Sequence, residues 1–144
     1  MARRPRILAA FLVSSALGGA ALAQSATPLG NGDVVGDWTL VITPAERRDL
    51  SISVESRDGG QPDFPLTIAG QARGPLTCVV SDRPAECRIE GGRLIVISGS
   101  RSGGARMTFT MTERTSGGFR GAASLRVRFL PIGGHIGSVN MARR

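Results

Sequence analysis

The sequence predicts an all-β domain with antiparallel strands in a meander, and three observations carry that reading. Apolar residues recur at every second position in run after run, the period of a strand with one buried face. Gly-Gly pairs at 59–60, 91–92, 103–104, 117–118 and 133–134 separate the runs, and Gly suits tight hairpin turns. After the N-terminal segment no helical pattern competes. About eight short strands with turn signals at regular spacing close as a barrel or pack as a sandwich. A last strand running to the C-terminus favours the barrel, because it can pair with the first and leave no open edge.

The first segment is read apart from the fold. Arg3, Arg4 and Arg6 precede the apolar run Ile7–Leu17, and Ala21-Leu22-Ala23 gives a small-x-small pattern. That is the layout of a signal peptide cleaved near Ala23, with its apolar core as a signal helix. Export to the periplasm of a Gram-negative bacterium, or secretion, is the expected destination. The expected organisation is a signal peptide over 1–23, a flexible N-terminal arm over 24–35 and one β-barrel domain over 36–144. All 18 basic residues are Arg, and removing those of the leader leaves 15 against 11 acids, a net charge of about +4.

The strands follow in order. Trp38, Leu40 and Ile42 share one face of the first, with Asp37, Thr39 and Thr43 on the other. Leu50, Ile52 and Val54 alternate with Ser51, Ser53 and Glu55 in the cleanest strand signal of the chain. The run Phe64–Gly70 carries Pro65, which places it at a strand start or edge. Pro75 to Gly92 reads as a hairpin with Ser81–Pro84 at its tip, and equal arms set Cys78 opposite Cys87. Such a cross-strand pair in an exported protein predicts a disulfide. Arg93–Gly99 is apolar on both faces, as for a strand covered on two sides. Met107, Phe109 and Met111 share a face against Arg106, Thr108, Thr110 and Thr112. Phe119, Leu125, Val127 and Phe129 share the next, against Arg120, Ser124, Arg126 and Arg128. Val139 and Met141 mark the last strand.

The stretch Gly36-Asp37-Trp38 adds a resemblance. A Gly-x-Trp opening the first strand resembles the lipocalin and calycin group, and the small exported bacterial lipocalin-like barrels in particular. The resemblance implies that Trp38 closes the barrel floor and stacks on an Arg of the last strand, Arg143 or Arg144. The segment Ser25–Leu40 is also similar to small periplasmic inhibitors of secreted metalloproteases. Those are eight-stranded barrels with an N-terminal arm that enters the protease cleft, an early Gly-x-Trp-x-Leu and one disulfide. Here the cysteines lie mid-chain with a short loop between them, which departs from that pattern. Barrel-type lysozyme inhibitors belong to the same class.

The residues argue against an enzyme. His135, the one His, sits in a Gly-rich turn without a recognisable nucleophile partner. Asp33 and Asp37 do not follow a calcium-loop pattern, and no phosphate-binding glycine motif leads into a helix. No cofactor or metal is expected. Scarce aromatics argue against nucleic acid. Leu40, Ile52, Val54, Met107, Phe109, Met111 and Phe129 either pack as a solid core or line a cavity for a small apolar ligand. The stripe Arg120, Arg126 and Arg128 either meets an anionic partner or is a solvated exterior. Two functions follow for a monomeric protein. One is binding of a small apolar ligand. The other is inhibition of a secreted hydrolase through the arm or the Cys78–Cys87 loop.

Overall fold

The computed structural model describes residues 27–45, 63–99, 102–131 and 133–144. The signal peptide expected over 1–23 and the strand expected at Leu50–Val54, with the interior candidates Ile52 and Val54, lie outside the described residues.

One helical turn, α1 (Asn31–Val34), precedes eight strands. These are β1 (Gly36–Pro44), β2 (Asp63–Ala69), β3 (Thr77–Val80), β4 (Arg83–Glu90), β5 (Arg93–Ser98), β6 (Ala105–Thr115), β7 (Gly118–Val127) and β8 (Gly133–Arg143). Each pairs antiparallel with the next, and β1 also pairs with β8, so the meander closes as a barrel. This is the predicted fold class, an architecture consistent with a lipocalin-like fold. Closure leaves no open edge among the described strands.

The period-2 pattern sets what faces inward. Trp38, Leu40, Ile42, Leu66, Ile68, Leu94, Val96, Phe109, Met111, Val139 and Met141 are each at most 2 % exposed, so the barrel axis is a filled core. No described polar or charged residue joins them. Phe64 and Phe109 meet with ring centroids 6.1 Å apart in a tilted arrangement. Pro65 sits in β2 just before pairing with β3 begins at Leu66, where its missing N–H leaves no gap in that ladder.

Several local expectations need correction. The β3–β4 turn is two residues, Ser81 and Asp82, both with positive φ, the geometry of a tight hairpin turn. Arg83 and Pro84 therefore belong to β4, and Cys78 pairs with Ala85. Cys87 is the diagonal neighbour of Cys78, and the disulfide spans that diagonal with Cα atoms 6.0 Å apart. In β5 only Leu94 and Val96 enter the core. Ile95 and Ile97 are half-buried on the outer face, between neighbouring Arg, Glu and Thr side chains, so the strand is covered on one side. His135 lies in β8 opposite Ser124 rather than in a turn. No helix among the described residues is long and apolar enough to cross a membrane.

Candidate functional site

The barrel has two unlike ends. One holds the start of β1 and the end of β8; the other holds the turns after β3, β5 and β7.

The first end is sealed. Trp38 is buried, and its indole Nε1–H donates to the Val34 carbonyl at 2.7 Å. The Trp38 ring meets Phe119 at 5.6 Å between centroids. The Arg143 guanidinium carbon lies 4.4 Å from the Trp38 ring centroid, a cation–π contact across the barrel closure. Arg144 makes no such stack; its backbone N–H donates to the Asp37 carbonyl. Gly36 shows why glycine precedes this Trp. Its φ is +137°, a region side chains avoid, and a Cβ there would meet the Arg143 guanidinium.

α1 plugs this end. Val34 is fully buried in the core and Leu29 packs against it. Asn31 Nδ2 donates to the Gln71 and Gly74 carbonyls at 2.8 and 3.0 Å, tying the plug to the β2–β3 loop. The described part of the segment expected as a flexible arm is thus docked from Leu29 onward. A four-residue turn carries too little periodicity to be visible in sequence.

A bulge in β6 completes the seal. The register shifts between Met111 and Glu113, which brings Arg114 opposite the core residue Phe119. Arg114 then reaches Asp33 of α1 at 3.0 Å and stands 5.9 Å over the Phe119 ring. The Arg114 hydrogen bond, helped by the Gly30 N–H at 2.8 Å, holds the Asp33 carboxyl below its ordinary value of 3.8. Arg88 does the same for Glu90, below its ordinary 4.5. A depressed carboxylate stabilises the fold above its unfolded pKa, and that contribution is lost as pH falls through the folded pKa. Asp33→Asn is therefore expected to be less stable than wild type at pH 7, with the gap shrinking as pH drops below 3.8. Urea midpoints from pH 7 to pH 2 check this, and a gap that stays constant to pH 2 contradicts it. A recess of about 420 Å³ beside Asp33, Trp38, Phe119 and Arg143 lies here. Trp38 already meets Phe119 and Arg143 here, and Asp33 is held by Arg114, which marks the recess as structural.

The other end carries a concavity suited to a ligand. A cavity of about 640 Å³ is lined by Arg106, Arg126, Val127, Arg128, Phe129 and Leu130, with Pro131 and glycines around them. That volume falls within the range of small-molecule sites, roughly 300–1,000 Å³. A neighbouring groove of about 350 Å³ shares Arg106 and Arg126 and runs along the outer face past Ile97, Thr108 and Ser124. Both lie outside the filled core.

The ligand-lining residues read from sequence separate accordingly. Leu40, Phe109 and Met111 are fully buried, and Met107 packs against them half-buried, so these four are core. Phe129 is corrected: it is 90 % exposed, because β7 ends at Val127 and the alternation was carried past that end into a turn. Its φ is +65°, a strained conformation for a bulky side chain, and Leu130 beside it is 53 % exposed. The arginine stripe also divides. Arg120 and Arg126 are six residues apart on one strand, about 20 Å at ~3.3 Å per residue. Arg120 has Asn140 Oδ1 at 3.5 Å. Arg126 joins Arg128, whose guanidinium lies 4.8 Å over the Phe129 ring, and Arg106, its cross-strand partner. Arg106 is the site residue that sequence reading left among the outward-facing residues of its strand. Its spacing gave no signal, since only the β6–β7 register sets it against Arg126.

The chain matches no family model, no curated protein and no solved structure.

Proposed function

We propose that this protein is an exported, non-enzymatic, monomeric lipocalin-like binding protein. Its ligand is a small molecule with an apolar part, held at the loop end and not along the barrel axis. The observation that carries the reading is the strained, exposed Phe129. A bulky residue at positive φ costs about 1–2 kcal/mol, and exposing an aromatic ring forgoes its burial. Strain concentrated where a cavity opens is a mark of a binding position. The Cys78–Cys87 disulfide supports export, since such bonds persist in oxidising compartments. The inhibitor reading through the arm is less favoured. From Leu29 to Val34 the chain is engaged in sealing the barrel, which leaves less of it to enter another protein's cleft.

Phe129→Gly separates binding from folding. Relief of the positive φ is expected to raise the unfolding free energy by about 1 kcal/mol. Loss of the ring is expected to weaken binding of a neutral apolar probe, octan-1-ol, by about tenfold. Urea denaturation and calorimetric titration measure the two. Wild-type affinity for octanol in the variant overturns the placement of the site.

A further inference from the structure

The geometry points to an anionic head group on the ligand of this loop-end cavity: an oxyanion, carboxylate or phosphate, carried on an apolar chain. The inference rests on the reading that the cavity is the binding site, and adds the ligand's charge.

Three arginines line one cavity, and among the described residues one carboxylate, Glu86, pairs with any of them. Arg106 and Arg126 are directly opposite in the β6–β7 register. Like charges at such positions repel and destabilise the pair. Among the described residues no carboxylate pairs with Arg126 or Arg128, and the ion pair of Arg106 is a long one, 3.8 Å to Glu86. Arg106 Nε is shut off from solvent yet has no hydrogen-bond partner. A buried donor left unpaired is costly, more so on a charged group. Arginine matches carboxylate and phosphate oxygens with a planar fork of donors. An oxyanion between Arg106 and Arg126 relieves their repulsion and accepts hydrogen bonds from both guanidinium groups.

The cavity is not an anion site alone. Val127, Phe129, Leu130 and Pro131 form an apolar wall beside the guanidinium groups. A free inorganic anion leaves that wall wet. An apolar chain covers Phe129 and Leu130, the two large apolar side chains that stand adjacent and exposed. Charge and shape together select an amphiphile with one acidic head.

Calorimetric titration of the full-length protein tests this with five soluble probes: octanoate, octyl phosphate, octan-1-ol, octyltrimethylammonium and inorganic phosphate. At least one of the two anionic octyl probes is expected to bind about tenfold or more tighter than octanol, with the cation weakest. The preferred anion names the head group. Arg126→Ala is expected to remove most of that advantage, so that within the variant the anionic probes bind about as octanol does, with a melting temperature at or above that of wild type because the Arg106–Arg126 repulsion is gone. Arg120→Ala, on the same strand but away from the cavity, is expected to leave every probe unchanged. If octanol binds as tightly as both anions, the charge inference falls and the loop-end site stands. If no octyl probe binds, both fall. If inorganic phosphate binds as tightly as octyl phosphate, the site is a plain anion site and the amphiphile is overturned. If the monomeric probes fail but the protein sediments with phosphatidylglycerol vesicles, the cavity is a membrane-contact face and the inference is overturned.

Discussion

Trp38→Ala is expected to lower the unfolding free energy by about 3–5 kcal/mol, the range for removing a large aromatic from a core. The indole does three things at once. It fills the sealed end against Phe119, donates to the Val34 carbonyl and carries the Arg143 guanidinium. Losing it opens a cavity and leaves a buried carbonyl unpaired. A domain of this size has about 5–15 kcal/mol in total, so the variant is close to the limit of folding. Arg143→Ala is expected to cost much less, about 0.5–1 kcal/mol, because its contact is with an exposed cation. Urea denaturation followed by circular dichroism measures both. Near-equal costs for the two variants contradict the account of the sealed end.

Removing the disulfide is the second large effect. The double variant Cys78→Ala, Cys87→Ala is expected to lose about 2–3 kcal/mol, the chain-entropy value for so short a loop. The melting temperature then falls by about 10 °C for a domain near this size. Unfolding stays cooperative, because seven of the eight strand pairings hold without the β3–β4 staple. An unchanged melting temperature contradicts the assignment. Treating wild type with a reductant under partly denaturing conditions gives an independent measure of the same contribution.

Much of the fold was legible because alternation reports burial directly. Trp38-Leu40-Ile42, Met107-Phe109-Met111 and Val139-Met141 face the core as their spacing predicts, Met107 at its half-buried margin. The sequence favoured a barrel but left a sandwich open, and the pairing of β1 with β8 decides for the barrel. What stayed hidden lies where local pattern and three-dimensional pairing part company. The hairpin tip sits one residue earlier than symmetry around the cysteines implies, since a two-residue turn at Ser81–Asp82 takes Arg83 and Pro84 into β4. The β6 bulge shifts Arg114 to the plug, which no periodicity announces.

The candidate site was less legible than the fold. Arg126 and Arg128 stood out as cations, but the stripe that grouped them with Arg120 followed one strand, while the cavity groups residues of β6, β7 and β8 with the turns between strands. Phe129 was assigned inward because its parity matches Val127. A strand's parity holds only while the strand continues, and the chain turns after Val127. Arg106 entered the site through register alone. Pairing register depends on turn geometry and bulges elsewhere in the sheet, so a single strand read by itself does not contain it.

The central claim is that the barrel core is filled and the ligand sits at the loop end. Methyl-resolved nuclear magnetic resonance during titration with octan-1-ol tests it most directly. The account predicts shifts at Val127 and Leu130, with the buried methyls of Leu40, Ile42, Leu66 and Met111 unmoved. Shifts centred on those four core residues, with Val127 and Leu130 unchanged, would contradict it.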